Sequence, residues 1–98
     1  MYKAFLLPIL LLLSIPGEAL TLQWTHPTHE LTKDTRFHIY KQDNCKEHYI
    51  LKGIVFYPAD TFKDTSTEKG KVYCYIVTTS DGTKESPYGN YIRADGDN

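Results

Sequence analysis

The sequence predicts an all-β fold, a small antiparallel sandwich of about six strands. Three observations carry that prediction. Segments of alternating apolar and polar residues recur along the chain, bounded by turn residues such as Gly, Pro and Asp. No stretch shows the apolar period of a helix packed on one side. The single Trp stands on an early segment, where one large ring can fill the space between two sheets. With 41% apolar and 13% aromatic residues in 98, the chain can build one core and one domain. That length excludes a two-domain enzyme with a cleft between its halves. Eleven Lys and Arg against twelve Asp and Glu leave a net charge of −1, with both signs scattered. Nucleic-acid binding, which needs clustered cations to neutralise several phosphates, is therefore not expected.

Residues 1–19 carry the three parts of an export signal. Lys3 supplies a positive charge, 4–15 is an apolar run, and Gly17-Glu18-Ala19 is a small-residue exit that fits cleavage after Ala19. Pro16, Gly17 and Glu18 stop the run well short of the about 20 apolar residues that a spanning helix needs. The first cysteine, Cys45, lies far beyond the run, which argues against a lipid-modified amino terminus. The expectation is a secreted or periplasmic chain with no stable membrane insertion after cleavage. Export makes the two cysteines read as a bridge, Cys45 to Cys74. A bridge closing about 29 residues contributes roughly 3 to 4 kcal/mol in the chain-entropy account, a large share of the about 5 to 15 that holds a small domain together. A reactive or metal-binding thiol pair would call for a C-x-x-C spacing or nearby ligands, and neither occurs.

The folded domain is expected over 20–94, with 95–98 a polar tail. Leu20, Leu22 and Trp24 alternate with Thr21, Gln23 and Thr25 in a half-buried strand that Pro27 ends. After a polar loop over 28–35, residues 37–41 place Phe37, Ile39 and Lys41 on one face and His38 and Tyr40 on the other. Residues 49–57 are apolar at consecutive positions around Lys52-Gly53, so they are either buried on both faces or turned toward a partner. Residues 60–65 form a short strand with Phe62 inward. Residues 72–79, apolar on both faces and framed by Lys69-Gly70 and Asp81-Gly82, read as the central strand. Residues 91–94 read as the last strand.

Five motifs in this order have a family likeness. Trp24 is followed shortly by Pro27; an aromatic and an aliphatic residue alternate in Phe37-His38-Ile39-Tyr40; Thr61-Phe62-Lys63-Asp64-Thr65 pairs an inward aromatic with a following Asp. Residues 72–79 alternate Tyr and aliphatic residues before Asp81-Gly82, and Glu85-Ser86-Pro87 precedes Tyr91-Ile92. Together they resemble the B, C, E, F and G strands of a fibronectin type III domain, the seven-stranded immunoglobulin-like sandwich. The resemblance covers about residues 20–94. It implies a non-catalytic scaffold for protein or carbohydrate contacts. Two departures stand out: the mature chain begins directly on strand B, so strand A is missing, and the segment between C and E is long and apolar.

Catalysis finds little support in the residues. His26 and His29 with Glu30 form the one local set that could take a metal, but closed sites need four ligands on rigid elements, and a solvated loop is the plainer reading. No Gly-x-Ser-x-Gly occurs, Ser80 and Ser86 sit beside turn residues, and the pairs Asp60/Asp64 and Asp81/Glu85 have polar neighbours. No cofactor and no enzymatic activity are expected. The aromatic surplus is the better hint, since exposed Tyr and Phe give large contact area at low entropy cost. The candidate surface is Leu20, Leu22, Tyr40, Tyr49, Phe56, Tyr57 and Tyr88. An exported binding or structural module is therefore expected. Its contact could include β-augmentation at the open edge of 20–25, an edge with no Lys, Pro or other guard. The alternatives are a self-assembling surface or virion subunit, and a small hydrolase or metal-binding protein.

Overall fold

A computed structural model of the chain describes residues 9–14, 20–25, 33–88 and 91–96. Among these residues are seven strands, β1 (Ile9–Ser14), β2 (Leu20–Thr25), β3 (Arg36–Asp43), β4 (Ile50–Phe56), β5 (Thr61–Asp64), β6 (Val72–Ser80) and β7 (Ile92–Asp95), and no helix. They form two antiparallel sheets, one in the order β1-β2-β5 and the other β4-β3-β6-β7. The fold is a small all-β sandwich, with each of the six expected strands in place.

The seventh strand corrects an expectation. β1 falls within the apolar run read as the core of an export signal, and it pairs with β2 along its whole length, from Ile9 opposite Thr25 to Ser14 opposite Leu20. In the full chain β2 therefore has neighbours on both sides, β1 and β5, and its edge is not open. The physical reason is that one apolar run satisfies two readings: a segment rich in Leu and Ile suits a leader and equally suits an antiparallel strand beside Leu22 and Trp24.

The core follows from alternation. Leu20, Leu22 and Trp24 of β2 face Phe37 and Ile39 of β3 and Tyr73, Tyr75 and Val77 of β6, all buried. Trp24 and Phe37 stack at a tilt with ring centroids 5.3 Å apart. Burying each aliphatic or Phe side chain fully stabilises the fold by about 1.5 to 3 kcal/mol. β6 is buried along nearly all its length because it is a central strand with β3 on one side and β7 on the other. Phe62 of β5 packs over Gly53 of β4, where a Cβ would lie 2.5 Å from the ring. This explains the glycine between two apolar runs. Its neighbour Lys52 is the residue passed over where the β3–β4 register shifts between Ile39 and Tyr40.

The expected bridge is present. Cys45 and Cys74 are joined with Cα atoms 5.0 Å apart, tying the β3–β4 connection to β6. Asn44 and Cys45 both take left-handed backbone conformations (φ 56° and 54°), and the Asn44 amide donates to the Val72 carbonyl at 2.8 Å, so the bend is held on both sides of the bridge. No helix long and apolar enough to cross a membrane occurs among the described residues.

Candidate binding face on the four-stranded sheet

β3 sorts the face. Phe37, Ile39 and Lys41 point into the sandwich, leaving Arg36, His38, Tyr40 and Gln42 on the opposite side, each partly exposed. The register then lays out rows across the sheet. Arg36 stands between Phe56 and Ser80, His38 between Ile54 and Thr78, and Tyr40 between Leu51 and Ile76. Leu51, Ile54 and Phe56 are 46%, 47% and 51% exposed, and Tyr88 and Tyr91 are more so. The Arg36 guanidinium lies 4.8 Å from the Phe56 ring centre and covers part of it. Tyr88 stacks at a tilt on Tyr40 at 5.1 Å and meets Tyr49 edge-on at 5.7 Å. The result is an apolar strip along β4 running into a tyrosine cluster.

A carboxylate sits at the centre of this face. Glu85 accepts hydrogen bonds from the Tyr40 hydroxyl at 2.5 Å and from the Thr78 hydroxyl, and His38 Nδ1 is 3.3 Å away. The segment carrying it is pinned to the end of β6, since the Ser86 amide donates to the Thr79 carbonyl at 2.8 Å and the Thr79 amide to Ser86 Oγ at 3.0 Å. Partial burial pushes the Glu85 carboxyl up, but the hydroxyl donors and His38 outweigh it and hold it below its usual range. Tyr40 is pushed up to about 12, by burial first and then by the Glu85 charge. Tyr49 is also raised, by burial and by Tyr91 and Tyr88 beside it. These phenols therefore remain protonated donors at neutral pH.

A second carboxylate lies on the inner side. Asp64 is fully buried and accepts from Tyr75 at 2.6 Å, from the Ser66 hydroxyl at 2.6 Å and from the Ser66 amide at 2.9 Å, with Lys41 Nζ 2.9 Å away. Lys41 also donates to Ser66 Oγ and lies 4.3 Å from the centre of the Tyr73 ring. Burial alone would raise the Asp64 carboxyl, yet these donors lower it to about 2. Beside the network is an open hollow of about 320 Å³ lined in part by Lys41, Glu47, His48 and Tyr73. Each Asp64 oxygen is already engaged, so the group holds the fold rather than being free to take a proton.

The sequence-derived candidates divide. Tyr40, Tyr49 and Tyr88 come together, and Phe56 joins the same face. Tyr57 is only partly exposed and packs against the core. Leu20 and Leu22 are buried core side chains and not part of an exposed surface, because alternation along β2 turns them inward with Trp24. His26, His29 and Glu30 lie outside the described residues. Asp81 accepts from the Thr83 and Lys84 amides of its own turn. Leu51, Ile54, His38 and Glu85 are not among the sequence-derived surface candidates, although one of the two readings of the run over 49–57 turns it toward a partner. The signal for the first two was the apolar run around Lys52-Gly53, whereas Tyr40 and Glu85 are 45 residues apart and meet only through the topology.

No family model and no curated protein matches the chain. Among solved structures, the chain is similar to one described as a myokine, with a TM-score of 0.79 and 12% identity over 97% of this chain and all of that one. It is similar to part of a β-1,2-glucanase from Parabacteroides distasonis, with a TM-score of 0.79 and 19% identity over 98% of this chain but 13% of the enzyme. A chain of a cytokine receptor complex has a TM-score of 0.68 and 15% identity over 92% of this chain and half of its own length. At these identities the likeness shows the fold alone, a small antiparallel β-sandwich.

Proposed function

We propose that the chain is an exported, non-catalytic binding module of the fibronectin type III kind, contacting a protein partner through the outer face of β4-β3-β6-β7. The observation that carries this reading is the exposure of Leu51, Ile54, Phe56, Tyr88 and Tyr91 around the Glu85–Tyr40 hydrogen bond. Apolar side chains surrounding a buried or half-buried polar anchor give both contact area and register. The aliphatic strip of Leu51 and Ile54 favours a protein over a carbohydrate, whose rings stack best on flat aromatic faces. Export is supported by the Cys45–Cys74 bridge, since such bonds persist in oxidising compartments. A non-catalytic role is supported by the engagement of Asp64, Asp81 and Glu85 in hydrogen bonds of the domain itself. The similarity to a myokine and to a chain of a cytokine receptor complex is in keeping with protein contact.

The test uses the exported protein as bait in material from its native compartment, beside an Ile54→Ser/Phe56→Ser variant. The reading expects a protein retained by the first and lost by the second, with equal far-UV spectra. Equal retention by both, or stoichiometric Zn²⁺ binding that His29→Ala abolishes, would overturn it.

A further inference from the structure

We infer that removal of residues 1–19 opens the β2 edge for β2 of a second copy, giving a symmetric dimer with a continuous sheet across the junction. The inference rests on the export reading and is independent of the outer face. In the full chain β1 fills this position, in register from Ile9 opposite Thr25 to Ser14 opposite Leu20. The direction of the vacated hydrogen bonds is set by the other side of β2. The Trp24 amide donates to the Asp60 carbonyl at 3.1 Å on the β5 side, so backbone alternation turns Thr21, Gln23 and Thr25 toward β1. Losing β1 leaves those three residues without ladder partners.

Other strand edges carry a guard that β2 lacks. β4 has Lys52 at a register shift, β5 is four residues long and carries Lys63, and β7 is four residues long with Arg93 and Asp95. β2 reads Leu-Thr-Leu-Gln-Trp-Thr, without charge, proline or glycine.

The strand that fits the vacated position must be uncharged, about as long as β1 and antiparallel, and the mature chain begins with such a strand. Placing Gln23 opposite Gln23 of the partner subunit sets Thr21 opposite Thr25 of the partner subunit, and the reverse. This restores a partner to each of the three residues whose backbone groups point toward the position of β1. The same register sets Leu22 opposite Trp24 of the partner subunit, so inward-facing residues meet inward-facing residues and both cores lie on one side of the joined sheet. A net charge of −1 per chain offers little repulsion.

The protein is made with its own leader in an exporting host and weighed. A chain beginning at Leu20 meets the export reading; a chain keeping residues 1–19 defeats that reading, and this inference with it. Sedimentation over a concentration series should then show a monomer–dimer equilibrium for the exported chain, and a monomer for full-length protein retaining β1. In the dimer the Thr21 and Gln23 amides should gain at least tenfold protection from exchange. A peptide with the sequence of Ile9–Ser14, flanked by lysines for solubility, should dissociate it. Gln23→Pro should weaken association at least tenfold; if that variant fails to fold, exchange and peptide competition still decide. An exported chain starting at Leu20 that stays monomeric would overturn the inference. So would a dimer indifferent to the peptide, or protection of Thr21 and Gln23 gained only with a different protein.

Discussion

Two carboxylates in this molecule have nearly the same neighbours and different consequences. Asp64 accepts from two hydroxyls, Tyr75 and Ser66, with Lys41 beside it; Glu85 accepts from two hydroxyls, Tyr40 and Thr78, with His38 beside it. Asp64 is wholly buried, whereas the Glu85 side chain is a third exposed. Inside, where water cannot replace a lost partner, the set of donors fixes how β3, β5 and β6 meet. Outside, the same chemistry orders a tyrosine and a histidine on a partly exposed face, where water can replace a lost partner. Burial, more than the identity of the groups, decides which carboxylate serves the fold and which the surface.

The largest effect is expected inside. Asp64→Ala leaves Lys41 buried without its counter-charge and should cost about 3 to 5 kcal/mol, read as a shift of the denaturant midpoint. Replacing Cys45 and Cys74 by Ala should cost about 3 to 4 kcal/mol if the chain-entropy account holds, without changing the sheet order. The pH dependence sharpens the contrast. Asp64 is lowered from 3.8 to about 2, so its contribution is present above pH 4 and is lost as pH falls through 2. That loss is about 2 kcal/mol, and Asp64→Asn should flatten the stability curve in that window. Of the carboxylate substitutions the smaller effect is that of Glu85→Gln, which should cost about 1 kcal/mol or less. It should also bring Tyr40 down from about 12 toward its ordinary value without reaching it, because burial still raises it, as an ultraviolet titration would show. If Glu85→Gln destabilised as much as Asp64→Ala, the division between inner and outer sets would be wrong.

Much of the fold was readable from alternation, and the failures have physical causes. β2, β3 and β6 each put apolar residues at every second position or throughout, so their faces and the buried Trp24, Phe37, Tyr73 and Tyr75 follow from period alone. Two cysteines allow one bridge, and it forms between Cys45 and Cys74. β1 was not readable as a strand because a leader and an apolar strand share one composition. In β4 the consecutive apolar residues gave no period; Ile54 and Phe56 alternate outward opposite His38 and Arg36, and the register shift that passes over Lys52 puts Leu51 on the same face. The site was readable in its tyrosines but not in its centre, since Tyr40 and Glu85 are brought together by the β3–β6 pairing and the turn after β6. Leu20 and Leu22 are core side chains because they share the inward face of β2 with Trp24, and a strand edge is a property of the backbone rather than of those side chains.

The most direct test of the outer face is to measure, on the same samples, the unfolding free energy and the affinity for the protein retained from the native compartment, comparing wild type with Ile54→Ser/Phe56→Ser. The account predicts an affinity loss of at least tenfold with an unfolding free energy changed by less than about 0.5 kcal/mol, the range of surface substitutions. Unchanged affinity, or a loss of stability as large as that of Asp64→Ala, would contradict it.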